Sequence, residues 1–322
     1  MHVLQLRGGL PEASHGLSFA LAGPGGALRT GGAPTSTFWR SASKPFQLEV
    51  ALSLLDDEGA CLRPEELALA ASSHSGQPGH LAVLDAILAK FGLDERALRC
   101  GAEPPAHAPS AAALLTAGAP PRAAHNDCSG KHALMLAACA ARGWDTTSYL
   151  SPAHPLQRQI AALIHARAGE PAPVAVDGCG VPTFWVSLAG MARAWRQLAE
   201  AMVDPSSEPR LARVGAAMSA HPWLVSGDDR LDLALASRAT EPFVGKIGAL
   251  GVFCVALPAR GLGLAVKVHS GDEGALGAAV PALLDRLAPG ALRPVDAWRW
   301  SEVRNVVGRI VGQRLVAGLP RA

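Results

Sequence analysis

Three lysines of the chain stand in short motifs with serine, cysteine or glycine. Only five of its 29 basic residues are lysines, so arginine supplies most of the positive charge. A desolvated lysine can lose its proton, whereas an arginine in practice cannot. The pattern therefore predicts bases or ligands that act as neutral amines. The motifs are Ser41-Ala42-Ser43-Lys44, Cys128-Ser129-Gly130-Lys131 and Lys246-Ile247-Gly248.

The first motif places a serine three residues before a lysine. On a helix this spacing brings Ser41 and Lys44 onto one face, and Pro45 locates the start of that helix. A neutral lysine can remove the proton of a serine, and N–H groups at a helix N-terminus can hold an oxyanion. Alone, the motif is more typical of a capping serine followed by a surface lysine.

Two further segments extend this chemistry. Ser73 lies in a hydroxyl-rich loop, Ser72 to Gly76, and Lys246 precedes a predicted β-hairpin between glycines. Singly, they are typical of a capped loop and of an edge-strand lysine that prevents sheet pairing. With Ser41 and Lys44 they resemble the ordered motifs of serine β-lactamases, penicillin-binding proteins and glutaminases. A Lys246 side chain that projects into the pocket should lie within about 3–4 Å of the Ser73 hydroxyl.

The third group combines two cysteines and a lysine. Cys128 and Lys131 precede a helical segment, and Cys179 stands in a glycine-rich turn some distance along the chain. Thiolates are strong zinc ligands, and three protein ligands leave a position open for substrate. The same residues also fit a capping turn and a buried thiol, or a nucleophilic Cys128 activated by Lys131.

Composition excludes several classes of protein. The chain has 322 residues, a net charge of +2 and 5% aromatic residues, which gives no basis for nucleic-acid binding. Its apolar runs are too short for a membrane span, which needs about 18 residues. Its first residues lack a signal-peptide pattern, and its six cysteines form no paired spacing. We therefore expect a soluble cytoplasmic protein.

The hydrophobic periodicity changes twice along the sequence. Strand-like runs lie near 1–40 and 243–315, and helical spacing dominates 46–240. One α/β (α+β) domain over 1–322 is predicted, with a mainly antiparallel sheet built from both termini and an inserted helical lobe. The predicted elements are helices at 131–142, 154–168, 184–203, 208–219 and 273–288, a hairpin of 250–257 and 262–268, and a last strand near 304–311.

The motifs also follow a familiar order. They are Arg40-Ser41-x-x-Lys44-Pro45-Phe46-Gln47, Ser73-His74-Ser75-Gly76, His125-Asn126-x-Cys128-Ser129-Gly130-Lys131-His132, His154-Pro155-x-Gln157, Asp177-Gly178-Cys179-Gly180-x-Pro182, His221-Pro222 and Lys246-x-Gly248-Ala249. Over nearly the whole chain, this order resembles the rhizobial-type (class 3) L-asparaginase family. The resemblance implies a serine-β-lactamase/glutaminase-like fold, hydrolysis of L-asparagine to L-aspartate and ammonia, and a homodimer.

The resemblance further implies a role for each site residue. In this interpretation Ser41 attacks the side-chain amide, neutral Lys44 takes its proton, and a seryl ester forms; Ser73 and Lys246 relay protons or exchange roles with the first pair. The implied sites are two Ser–Lys pairs (Ser41–Lys44 and Ser73–Lys246), a zinc ion bound by Cys128, Lys131 and Cys179, and substrate-binding residues Arg40, His132 and Asp177.

The sequence departs from the family pattern at three positions. Leu250 replaces an acidic residue, Trp39 stands where proline is usual, and Ala13 replaces a serine. The departures at Trp39 and Leu250 leave open a catalytically weak or inactive homologue that binds asparagine. A separate alternative is a penicillin-recognising serine hydrolase, which would be expected to carry a periplasmic signal and would not need the two cysteine motifs.

Overall fold

The main sheet is built from the two ends of the chain. The computed structural model describes residues 1–55, 61–295 and 297–320. Its eight-stranded antiparallel sheet has the order β10-β11-β1-β2-β9-β8-β7, with β3 paired to β2. The predicted α+β class, with a sheet from both termini and an inserted helical lobe, is confirmed. The strands of this sheet are β1 (His2–Arg7), β2 (Leu10–Ala22), β3 (Leu28–Gly31), β7 (Val244–Gly248), β8 (Val252–Leu257), β9 (Leu262–Val268), β10 (Glu302–Arg304) and β11 (Ile310–Ala317).

The helices form the inserted lobe and one further layer. The segments predicted near 131–142, 154–168, 208–219 and 273–288 are helical within one or two residues. No helix in the described ranges has the length and apolarity that crossing a bilayer requires. The helices are α1 (Lys44–Leu55), α2 (Pro64–Ala70), α3 (Pro78–Lys90), α4 (Ala108–Thr116), α5 (Ser129–Ala141), α6 (Pro155–Ala168), α7 (Leu188–Val203), α8 (Pro209–Ala220), α9 (Pro222–Val225), α10 (Leu231–Ala236) and α11 (Glu273–Leu287).

The sheet separates two hydrophobic cores. Alternate side chains of β8 point to opposite faces. Val252 and Cys254 therefore join the core of the helical lobe, whereas Phe253 and Val255 join the core beneath α11. Lys246 pairs directly with Cys254, so its side chain also faces the helical lobe. The sheet thus places the Lys246 side chain next to residues of the helical lobe.

The predicted helix over 184–203 was wrong at its start. Residues 182–187 form strand β6, which pairs with β4 (Ser36–Phe38) and β5 (Val174–Val176) in a separate three-stranded sheet. Helix α7 begins only at Leu188, because the Ser187 hydroxyl accepts the Gly190 N–H at 3.0 Å and caps it. The apolar pattern ran through this cap without a break, and the small sheet was missed.

Two strand predictions also need correction. The last strand, predicted near 304–311, is a hairpin of β10 and β11 with its turn at 305–308. Lys246 does not precede a strand but lies inside β7, an edge strand that pairs only with β8 in the described sheet. A short apolar run between glycines gave too little periodicity to identify β7.

Candidate active site

Ser73 lies between two buried lysines. The amine of Lys44 and the amine of Lys246 each lie 2.9 Å from the Ser73 hydroxyl oxygen. The relative exposures of these residues are 1% for Lys44, 0% for Lys246 and 3% for Ser73. The distance expected between Lys246 and Ser73 is therefore met in the structure. The edge-strand lysine pointing to solvent is excluded.

Three different elements bring these side chains together. Lys44 is the first residue of α1, Ser73 follows α2, and Lys246 belongs to β7. Gly248 allows β7 to approach the chain before α1, since a Cβ there would lie 2.7 Å from the Trp39 carbonyl oxygen. The cluster therefore depends on packing between the sheet and the lobe.

Burial governs the protonation of Lys246. It lowers the pKa of this amine to about 7, because a charged group loses hydration in the interior. The carboxylate of Asp232 opposes that shift, and the positive charge of Lys44 reinforces it. Near neutral pH, Lys246 can therefore either accept or donate a proton.

No hydrogen bond joins Ser41 to Lys44 among the described residues, in contrast to the predicted pair. Ser41 lies half-buried in a 3-10 turn, Arg40–Ser43, immediately before α1. The Lys44 amine turns instead to the Ser72 carbonyl oxygen, at 2.5 Å, and to Ser73. Among the described residues, no hydrogen bond to the Ser41 hydroxyl is found. The structure thus joins both lysines through Ser73 and leaves Ser41 at the more accessible edge of the site.

Arg40 and Asp177, both predicted to bind substrate, contact each other. The Arg40 Nε donates to Asp177 Oδ1 at 2.6 Å, and the Gly178 N–H donates to the same oxygen at 2.7 Å. Arg40 has a φ of 54°, which is unusual for a residue with a side chain. Such a conformation costs about 1–3 kcal/mol and is concentrated at functional sites. Arg40 thus places charge beside Ser41.

His74 anchors the serine loop. Its Nδ1 accepts the Gly76 N–H at 3.1 Å, so its Nε2 carries the proton and donates to the Ser129 hydroxyl at 2.8 Å. Burial lowers the pKa of His74 to about 3, which keeps the ring neutral. His74 therefore fixes Ser73 relative to α5 and takes no part in proton transfer at neutral pH.

The two cysteines and Lys131 also converge. The Lys131 amine lies 3.3 Å from the Cys179 sulfur. The interaction between the two thiols lowers the pKa of Cys179 well below its usual range and raises that of Cys128. Burial would lower the pKa of Lys131, but both sulfurs and Asp177 raise it. Lys131 contacts Cys179 rather than Cys128, which does not favour Cys128 as an activated nucleophile.

The donor atoms of this second cluster suit zinc. Two thiol sulfurs and one amine nitrogen meet there, and the Lys131 ammonium group balances the negative charge that the cluster favours on Cys179. The predicted set contains only two residues of the types that usually bind metals. Within the described residues, no three side chains of His, Cys, Asp or Glu gather around a common point.

His132 lies beside this cluster rather than in an open pocket. Its Nδ1 is 2.6 Å from the Tyr149 hydroxyl, and the ring is fully buried. Burial lowers the pKa of the His132 ring, and the interaction with the neighbouring Cys179 opposes that shift. His132 thus supports the cysteine cluster from behind.

A profile of the L-asparaginase II family matches residues 3–316 of the chain. The chain belongs to this family. The resemblance found in its motifs is therefore confirmed at the level of the family. No curated protein sequence matches this family member.

The solved structures similar to this L-asparaginase II family member share little sequence identity with it. Mglu in its native form is 17% identical, with a TM-score of 0.46, and the match covers 88% of this chain and 66% of Mglu. In 4.3 M NaCl, native Mglu is 18% identical, with a TM-score of 0.48 and coverage of 88% and 63%. A beta-lactamase from Mycobacterium bovis is 14% identical, with a TM-score of 0.36 and coverage of 83% and 92%. The chain thus spans just under two thirds of Mglu, and such similarities determine neither its substrate nor its mechanism.

Two acidic residues of this family member were not predicted as site residues. Burial would raise the pKa of Asp127, but Lys44, Cys128 and Lys246 hold it at about 2. Asp232 lies 3.9 Å from the Lys246 amine. Asp127 stands at the unspecified position of the motif that begins with His125. A search of the motifs for carboxylates that could balance the charge of buried lysines would have identified it. Asp232 has no local sequence signal.

Proposed function

We propose that the protein hydrolyses L-asparagine to L-aspartate and ammonia through a seryl ester. One observation carries the proposal: Lys44, Ser73 and Lys246 form a continuous buried chain of hydrogen bonds. This series of hydrogen bonds ends in the Lys246 amine, whose pKa is about 7. Such a group can exchange protons at neutral pH, which is the requirement for activating a hydroxyl. Family membership supports an amide as the substrate.

In the proposed reaction, Ser41 attacks the carbon of the side-chain amide. Its accessibility supports this role, because a nucleophile must contact substrate and Ser73 is 3% exposed. Lys44 first passes a proton through Ser73 to the neutral Lys246 amine and can then take the proton of Ser41. The departing nitrogen takes a proton and leaves as ammonia. Water then cleaves the ester, releases aspartate and restores the hydroxyl.

Opposite charges beside Ser41 support recognition of an amino acid. The substrate carries a carboxylate and an ammonium group, which match Arg40 and Asp177 respectively. Since these two residues now bind each other, substrate must replace their contact with two of its own. His132 is buried behind the cysteines, so its proposed effect on substrate is exerted through them.

A specific observation favours Ser73 as an alternative nucleophile. Both lysine amines already contact its hydroxyl, whereas Ser41 has no such base within the described contacts. In this alternative, Lys246 takes the proton of Ser73 directly. Substrate must then reach a hydroxyl that is nearly inaccessible in the free protein.

Ammonia release from asparagine and from glutamine tests the proposal. Ser41→Ala should lower kcat by roughly 10³-fold or more, because it removes the attacking atom. Ser43→Ala is the matched control, because it removes the other hydroxyl of the same turn, which donates to the Arg40 carbonyl oxygen and is not the proposed nucleophile. Acid-quenched reactions analysed by peptide mass should show the acyl group on the peptide containing Ser41. An acyl group on Ser73 would support the alternative.

The same assay separates two other functions. Thermal stabilisation by asparagine without ammonia release would indicate a binding protein without turnover. Hydrolysis of nitrocefin in preference to asparagine would indicate a penicillin-recognising enzyme. Either result would contradict the proposed reaction.

We further propose that Cys128, Lys131 and Cys179 bind zinc. When bound, the metal would act as a Lewis acid that polarises a bound oxygen of the substrate. The thiolate of Cys179 supports this proposal because ligands must be deprotonated, and the Cys128 proton and a Lys131 proton would have to leave on binding. His132, buried beside Cys179, would hold the cluster in place.

Self-association and compartment complete the proposal. Strand β5 lies at the edge of the small sheet with Val174 and Val176 exposed, and such an edge favours pairing with a second chain. A homodimer should give twice the mass of the 33.1 kDa chain in light scattering, and Val176→Lys should shift it toward monomer.

All six cysteines lie among the described residues with free thiols, which supports a reducing compartment such as the cytoplasm.

A further inference from the structure

Asp232 is a buried carboxylate with one oxygen in use. It lies in α10 and is 2% exposed. Its Oδ1 accepts the Ile247 N–H at 2.8 Å and lies 3.9 Å from the Lys246 amine. Its Oδ2 is buried without a hydrogen-bond partner among the described residues. An unpaired buried carboxylate oxygen destabilises a fold, so this arrangement calls for a functional reason.

The bond to Ile247 occurs where the sheet offers no partner. Strand β7 is the last strand of the described sheet and pairs with β8 on one side only. The N–H of Ile247 donates to Asp232 on the open side of β7, where a further strand would otherwise supply the acceptor. This bond fixes the backbone next to Lys246, whose amine also donates to the Ile247 carbonyl oxygen at 3.0 Å.

Charged and titratable groups face Lys246 from every side. Asp232 from α10 and Asp127 from the loop before α5 favour its protonated form. Lys44 from α1 and Arg230, just before α10, disfavour it. Cys254 on β8 is also adjacent, and burial keeps that thiol protonated by raising its pKa. Asp232 is the largest of the charges that oppose the effect of burial.

We propose that Asp232 is a positioning residue for Lys246, which holds β7 through the Ile247 N–H and supplies the counter-charge for the protonated amine. It touches neither Ser41 nor Ser73 and acts only through Lys246. The inference rests on the proposed function for its catalytic meaning. Without Asp232, the protonated Lys246 amine would lose its proton at a lower pH, and the neutral amine would be a weaker base toward the serine proton.

Lysine NMR tests this role independently of activity. The chain has only five lysines, so the ¹³Cε signal of Lys246 can be assigned by its loss in Lys246→Met. Asp232→Asn keeps an oxygen for the Ile247 N–H but removes the charge. In the Asp232→Asn variant, the Lys246 signal should titrate about one pH unit or more below the wild-type midpoint. Removal of a negative charge this close to the Lys246 amine implies a shift of that size. Asp232→Ser is the second uncharged variant, for use if the first does not fold.

Asp229→Asn is the matched control on the same segment. That carboxylate is exposed and binds Arg299, so the Lys246 midpoint should remain at its wild-type value. Folded Asp232 variants with an unchanged midpoint would overturn the inference, as would equal shifts in the Asp229 and Asp232 variants. The pH profile of kcat/KM should move with the NMR midpoint. An NMR shift without any amidase activity would contradict the proposed function but not the role of Asp232.

Discussion

Two buried lysines of this protein respond to burial in opposite ways. Lys246 and Lys131 are 0% and 4% exposed, yet the pKa of Lys246 falls to about 7 and that of Lys131 rises. Lys246 faces one hydroxyl and a carboxylate 3.9 Å away, whereas Lys131 faces a pair of sulfurs that hold negative charge. Neighbouring charge, rather than burial alone, thus decides which lysine can serve as a base.

Lys44 gives the largest expected effect. We expect Lys44→Arg to lower kcat/KM by roughly 10³-fold, nearly as much as Lys44→Ala, because a guanidinium group cannot take a proton. Steady-state ammonia release measures the loss. Lys90→Arg is the control, since Lys90 forms an ion pair with Glu66 away from the site. A Lys44→Arg rate near that of the wild type would show that only positive charge is needed.

The pH dependence tests the role of Lys246. The amine is neutral above its pKa of about 7, so wild-type kcat/KM should rise as the pH increases through about 7. Lys246→Met should lower the rate by roughly 10²–10³-fold and remove this limb, since general base catalysis contributes that much. The check is a kcat/KM profile across this range. A limb that persisted in Lys246→Met would belong to another group.

The cysteine cluster should affect binding more than chemistry. Protein purified without chelator should contain about one zinc per chain, and Cys128→Ala or Cys179→Ala should lose it, because removing one of three ligands weakens the site. We expect KM to rise roughly tenfold, equal to about 1.4 kcal/mol, with a smaller change in kcat. Metal analysis and steady-state kinetics measure both effects. Cys139→Ala removes another buried thiol, on helix α5, which Cys128 precedes, and this variant should retain zinc. Zinc that remained bound after removal of both Cys128 and Cys179 would exclude this site.

Lys267 gives the smallest expected effect. Burial alone lowers its pKa, and its amine donates to the Leu250 carbonyl oxygen rather than to a serine or sulfur. Lys267→Met should therefore keep kcat/KM within about threefold and reduce the free energy of unfolding by about 1 kcal/mol, the value of one hydrogen bond. Urea unfolding and the ammonia assay check both values. A large rate loss would place a third lysine in the site.

The elements with regular periodicity could be predicted from sequence. Helix α5 and the β8–β9 hairpin follow clear apolar patterns, and both lie within one or two residues of their predicted bounds. Strand β6 could not be separated from α7, because apolar residues continue through the Ser187 cap. The short strands β4 and β5 carry too few residues for any period to show.

The candidate site was predicted by residue type but not by partner. The sequence pointed to Ser73 and Lys246 together, and their contact exists. It paired Ser41 with Lys44 from helical spacing, but a 3-10 turn precedes α1 and the Lys44 amine extends to the neighbouring loop. Asp232 approaches only through tertiary packing of α10 on the sheet edge. Local spacing cannot report such contacts.

The departures from the family pattern are accommodated differently. Trp39 is fully buried and packs on Phe46, with ring centroids 5.3 Å apart, so it contributes to the core beside the site. Leu250 is 65% exposed in a turn with a φ of 61°. No contact of its side chain explains the change from an acidic residue. Ala13 lies in β2 opposite Gln5.

The order of strands in the main sheet has a consequence for synthesis of the protein. Strand β2 emerges early from the ribosome, but its partner β9 follows only after the whole helical lobe. At about 5–20 residues per second, this delay lasts roughly ten seconds or more. A nascent chain that ends before β7 already contains Ser41, Lys44 and Ser73 but lacks Lys246. Hydrolytic activity should therefore arise only when strands β7 to β9 complete the sheet, so an unfinished chain should be inactive.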